Sequence, residues 1–310
     1  MAIFRPLRSP ITRGNTLTTS YPNGISDGYI EIDGVQVFSF ERPGFTNDNK
    51  SSYFEYAEIL NSYLDVTFDG TYTSQVLDCE IYFEQRDGAT VLFSVTQSFL
   101  GTAGYSLYTE GANVVYSTNT DALSTTTLYV PEGVAGYIPY LDATNGRITY
   151  QSFSTTATSA TVNLTQYTIN RICEPRYDYY KVTFVNRFGV LQDIYFYLVR
   201  RDSSMAKSET YKAHVTTPTG SYDISNHSKQ TFNVVGNDKL TLNTTFLDES
   251  YNDVLNDLML SEKIWITENG QVLPIRITTQ TLDKKTSVND KLIQYTLEFE
   301  YAFDRINNIA

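Results

Sequence analysis

The run YYKVTFVNRFGVLQDIYFYLVRR, residues 179–201, constrains the fold most. Two stretches of β-branched and aromatic residues flank Asn186-Arg187-Phe188-Gly189. In the first, Tyr180, Val182 and Phe184 alternate with Lys181, Thr183 and Val185, which is the period of a strand. The second, Val190 to Val199, is almost continuously apolar, broken by Gln192 and Asp193. This composition predicts paired strands about a tight turn. Gly189 takes φ > 0 without steric cost, and an asparagine such as Asn186 tolerates it. A near-continuous apolar strand needs cover on both faces. The hairpin is therefore expected at the centre of a β-rich core.

Strand-like beats of the same kind fill most of the chain. GYIEIDGVQVFSF folds back at Gly34. LDVTF, VLDCEIYFEQ and TVLFSVTQSFL follow, separated by Asp69-Gly70 and Arg86-Asp87-Gly88. Short strands punctuated in this way predict a sandwich or barrel. The Ser/Thr-rich stretch 152–168 retains strand alternation through Ala157, Ala160, Val162, Leu164 and Tyr167. Residues 53–60 fit a strand or a short helix, and strand is the reading preferred. One helix stands out, near 251–262. Asp248 or Ser250 can cap it, and Tyr251, Val254, Leu255 and Leu258 fall on one helical face. Asn269-Gly270 is a two-residue hairpin signal. In the last strand Ile293, Tyr295, Leu297, Phe299 and Tyr301 form the buried side, and Gln294, Thr296, Glu298 and Glu300 face solvent or an edge partner. The expected fold is mainly β, with two sandwich- or barrel-like domains. An extended arm covers 1–20, the first domain 21–170, and the second 171–310, with a single short α-helix packed on its sheet.

Composition narrows the function classes. With 14% aromatics in 310 residues, this is a folded chain rather than a disordered one. Its 25 tyrosines suit half-buried sheet faces and protein interfaces. A net charge of −12 excludes a broad grip on nucleic acid, which needs clustered Lys and Arg. It suits a protein kept apart from itself until a matching surface appears. The local basic cluster is Arg5, Arg8 and Arg13 around Pro6 and Pro10. Two readings stand for it: a solvated tail, or an arm that orders against a neighbouring subunit. Cys79 and Cys173 lie far apart in strand-like surroundings and are expected as buried thiols. MAIFRPLRSP lacks a signal-peptide core, and no stretch reaches the roughly 18 apolar residues of a membrane span. Synthesis in the cytoplasm without membrane insertion is the expectation.

The motifs of chemistry are mostly missing. GxSxG, HExxH and the P-loop do not occur. His214 lies in a strand candidate and His227 in a polar loop, neither beside an evident partner. Asp78/Glu80, Glu84/Asp87 and Glu298/Glu300 are the carboxylate pairs a glycosidase could use, but solvated or edge-protecting faces explain them more simply. Asp65/Asp69 and Asn47-Asp48-Asn49 match no calcium-loop spacing. Tyr105, Tyr108 and Tyr116, near Gly104 and Gly111, offer an aromatic platform for a sugar, or ordinary packing. No catalytic, cofactor or metal residue is assigned.

FVNRFGVLQDIYFYLVRR, KLTLNTTFLDE, LNDLMLSEKIWI, NGQVLPIRI and QYTLEFEYAFDRINNI, in that order over 171–310, resemble structural proteins of tailed-bacteriophage virions. They look like tail, ring or neck proteins of phages infecting marine bacteria or Bacteroidetes. The resemblance implies a virion component without enzymatic activity, arranged as a ring in the tail, neck or baseplate. Its partners would be copies of itself and adjacent tail or neck proteins, with nucleic acid at most passing through the lumen. Interface candidates are Arg5, Arg8 and Arg13 in the arm and Tyr295, Phe299 and Tyr301 in the last strand. The alternative is a phage adhesin binding a host glycan. A polysaccharide-degrading enzyme is a third class.

Overall fold

The computed structural model describes residues 1–8, 17–18, 25–43, 51–52, 56–111, 114–173, 176–283 and 293–305. These build a mainly β, sandwich-like fold of several sheets. One sheet has seven strands, all antiparallel and all from the second half of the chain. Its order is Leu191–Phe196, Tyr180–Val185, Ile264–Glu268, Gln271–Ile277, Thr296–Tyr301, Lys229–Asn243 and Arg201–Lys212. A five-stranded sheet orders Phe4–Arg8, Thr90–Tyr105, Leu77–Asp87, Ile25–Ile32 and Val35–Pro43, with its first pair parallel. Two three-stranded sheets are drawn from residues 120–172, and Leu17–Thr18 pairs with Ser51–Ser52 in a short two-stranded one.

The 179–201 hairpin forms in the expected register, from Tyr180 opposite Phe196 to Val185 opposite Leu191. Gly189 takes φ of +81°. A Cβ there would lie 2.6 Å from the amide nitrogen of Gly104, so close backbone approach adds a second demand for glycine. Leu191–Phe196 lies at an edge of its sheet, not at the centre expected for it. It is nevertheless covered on both faces, as its apolar run requires. Ile194 and Phe196 enter the core beneath the helix. Tyr195 and Tyr197 pack with Leu128, Val130 and Ile169 of the first half.

The helix is Asn252–Met259, entered through a 3-10 turn at Glu249–Tyr251. Asp248 caps the turn by accepting from the Ser250 amide at 2.9 Å. Tyr251, Val254, Leu255 and Leu258 are all buried against the seven-stranded sheet. Such burial stabilises by roughly 1.5–3 kcal/mol per aliphatic side chain.

Several expectations are corrected. Residues 4–8 are extended, but they pair with Leu100–Tyr105 of the same chain, with Phe4 and Leu7 buried. Residues 57–61 are a short helix, not a strand, because Tyr56, Ala57 and Leu60 bury at helical spacing. The last strand is interior, flanked by Gln271–Ile277 and Lys229–Asn243. Glu300 is buried there and accepts a bond from Arg276, so it does not face solvent. Cys79 is buried, which pushes its thiol up to about 12, whereas Cys173 is exposed.

The sheets divide along the sequence, but the cores do not. Val66 and Phe68 pack with Val185, Leu191 and Trp265. Phe4, Leu141 and Ile148 pack with Val190, and Tyr129 joins the core under the helix.

Candidate functional site

Five of the six interface candidates have contacts within the chain. Arg5 donates to the Tyr56 hydroxyl and lies over the Phe99 ring at 5.0 Å. Arg8 reaches the Leu260 carbonyl at 3.3 Å and pairs with Glu262 at 3.1 Å. Tyr295 and Phe299 are buried in the core, and the Tyr295 hydroxyl donates to Asn252. Tyr301 is half-buried, accepts from Arg200 at 3.2 Å and donates to Glu268 at 2.9 Å. Arg13 lies outside the described residues.

Two other features face outward. The first is a β-ribbon of Arg201–Lys212 and Lys229–Asn243, joined by a tip over 213–228. Beyond Met205 and Asn237 each ribbon strand, among the described residues, pairs only with the other. Every residue of Arg201–Lys212 is exposed, and so is 229–234 opposite. At about 3.4 Å per residue, twelve residues span roughly 40 Å. Apolar side chains nonetheless stud it: Met205, Tyr211, Tyr222, Val234, Phe232 at 44% exposure and Ile224 at 90%. Tyr211 and Phe232 meet edge to face at 5.6 Å. Pairing also brings His214 and His227 to one concavity at the tip, which their distance in sequence conceals.

The second is a cleft of about 430 Å³ on the face of the seven-stranded sheet turned away from the helix. Its floor is one cross-strand row, Tyr195, Lys181 and Thr267. The 70–72 segment, Val134-Ala135 and the hairpin turn Asn269-Gly270 wall it. Tyr72 packs tilted against Tyr137 with centroids 4.4 Å apart, and Tyr179 meets Tyr195 edge to face at 5.9 Å. Tyr137 and Tyr179 are 45% and 46% exposed. Asp193 accepts from the Tyr72 hydroxyl at 2.5 Å and from Thr183 at 2.7 Å. Burial and the Asp193 carboxylate push the Tyr72 phenol far above its usual range, so it remains the donor. Lys181 Nζ donates to the same phenolic oxygen at 3.2 Å and lies over the Phe68 and Tyr72 rings.

Of the two readings for Tyr105, Tyr108 and Tyr116, packing fits Tyr105 and Tyr116, and the three form no common platform. Tyr105 is buried and donates to Asp257 at 2.7 Å, Tyr116 packs on Phe188, and Tyr108 stands exposed. Glu84 accepts from Tyr82 and pairs with Arg86, while Glu298 is exposed and Glu300 buried. Asp65 pairs with Lys263 at 2.8 Å, and 47–49 lie outside the described residues. Among the described residues, no three His, Cys, Asp or Glu gather as a metal site, and no helix is long and apolar enough to cross a membrane. No protein-family model, curated protein or solved structure matches the chain.

Proposed function

We propose that the chain is a non-enzymatic structural protein of a tailed-phage virion, forming a ring in the tail, neck or baseplate. Its subunits are joined by the ribbon of one copy lying on the body of the next. The exposed ribbon carries this reading. A two-stranded hairpin is marginal in water without a surface to pack on, and this one presents Ile224, Phe232 and Tyr222 to solvent. Charge favours a second copy as that surface. Between residues 206 and 236 three lysines face two acids, a net +1, so with the whole chain at −12 the rest carries −13. Ribbon and receiving face differ, so the contact is heterologous, and a heterologous contact that closes makes a ring. The phage setting is supported by the sequence resemblance over 171–310.

Light scattering coupled to size exclusion, with negative-stain imaging, tests the assembly. Wild-type protein is expected as closed rings at high concentration. The double variant Ile224→Asp, Phe232→Asp is expected as folded single subunits, because two carboxylates desolvate badly at a contact. A wild type that stays monomeric from micromolar to millimolar concentration would remove the basis of the proposal, as would a double variant that still closes. Immunogold labelling of purified phage particles checks the setting.

A further inference from the structure

We propose that the tyrosine-walled cleft over Lys181 binds an uncharged sugar ring of an oligosaccharide. This goes beyond the assembly role and does not depend on it. A pyranose has a flat C–H face and a rim of hydroxyls, each both donor and acceptor. The cleft offers a counterpart to both.

The flat surfaces come first. Tyr137 and Tyr179 are half-exposed, yet each ring is held by another, Tyr72 and Tyr195 respectively. Rings already fixed lose little freedom when a ligand stacks on them, so more of the contact survives as affinity. The polar floor comes second. Lys181 Nζ has three donors, and among the described residues one is used within the chain, on Tyr72. Asp193, fixed by Tyr72 and Thr183, supplies acceptor lone pairs. Thr267 Oγ1 is buried with no hydrogen-bond partner among the described residues. It belongs to a residue lining the cleft. An ammonium and a carboxylate on one cleft floor match vicinal sugar hydroxyls, which accept from the first and donate to the second.

Charge selects the class. The floor holds one cation and one anion, so it offers no surplus to an acidic ligand, and a chain of net −12 repels anions at long range. That argues against a phosphate or a uronate. The size agrees, since 430 Å³ lies within the range of about 300–1,000 Å³ for small-ligand sites.

The full-length protein is titrated with cellotetraose, maltotetraose and tetragalacturonate, and binding is followed by saturation-transfer NMR. Quenching of Trp265, the sole tryptophan, gives a second readout, since it lies two residues from Thr267. At least one neutral tetrasaccharide is expected to bind with millimolar affinity. Tyr137→Ala and Tyr179→Ala should each weaken it tenfold or more, and Lys181→Met should do the same, with unchanged circular dichroism. Both tyrosines are half-exposed, so either variant serves if the other fails to fold. Binding should persist in the Ile224→Asp, Phe232→Asp variant, which separates this outcome from assembly. No binding by either neutral sugar overturns the proposal. So does binding of tetragalacturonate alone, or wild-type affinity in both tyrosine variants.

Discussion

Asp257 sits on the buried side of the helix, with one carboxylate oxygen taken by the Tyr105 hydroxyl at 2.7 Å and the other by Ser124 Oγ at 2.5 Å. Both donors come from the first half of the chain, so this side chain ties the halves together. Removal from water raises its pKa, against the pull of Ser124, Tyr105 and Arg187. The folded state therefore holds the proton more tightly than the unfolded chain. Stability falls as pH rises from the unfolded value, near about 3.9, through the raised folded one, and the penalty is complete above it. Asp257→Asn removes the charge and keeps the shape. Its Oδ1 still accepts from Tyr105, and its amide donates to Ser124 Oγ. The variant's melting temperature relative to wild type is thus expected to be higher at pH 7 than at pH 4. The gain is about 2 °C for each kcal/mol of penalty lifted. Thermal melts at the two pH values check it, and an advantage that shrinks at pH 7 contradicts the sign. Asn186 shows how much of a residue's role a sequence can hide. Its place beside Gly189 marks a turn, and the turn is there. Its side chain, though, is buried and donates to Ala122 O at 2.6 Å and Gln192 Oε1 at 2.9 Å, contacts that only the folded neighbourhood creates.

Among the elements, those whose pattern is local were legible. Asn269 and Gly270 take φ of 49° and 77°, the left-handed pair a two-residue hairpin demands. The 252–259 helix buries the face its spacing marks. The helix at 57–61 escaped because five residues are too few for periodicity to separate from strand. The cleft escaped because Tyr72, Tyr137, Tyr179 and Tyr195 come from separate segments. The ribbon was visible as strands but not as a projection, since alternation says nothing of what lies opposite each face. Its exposure makes a direct prediction. Met205 and Asn237 face each other, so an Asn-Gly turn in place of 206–236 should close the hairpin at that point. Nothing in the core is removed. The trimmed chain should unfold within about 3 °C of wild type, the range of substitutions that touch no packed group. A much larger loss by calorimetry would mean the ribbon packs on its own body.

For the molecule as a whole, two faces of one sheet are covered from different parts of the chain. The helix covers one face of the seven-stranded sheet. Val66 and Phe68, with the two three-stranded sheets, cover the other through Val185, Leu191, Trp265, Tyr195 and Tyr197. Cutting the chain between 173 and 176 would expose those five side chains. At roughly 1.5–3 kcal/mol each, the loss is about 8–15 kcal/mol, as large as the whole stability of an ordinary domain. The two halves should therefore unfold together. Calorimetry on the ribbon-trimmed chain, where assembly does not complicate the scan, should give one transition with calorimetric and van't Hoff enthalpies in agreement. Residues 176–310 made alone should show collapsed amide dispersion by NMR and recover it when mixed with 1–173. Two transitions, or a well-dispersed spectrum from the isolated second half, would show instead that the boundary drawn by the sheets is also a boundary of stability.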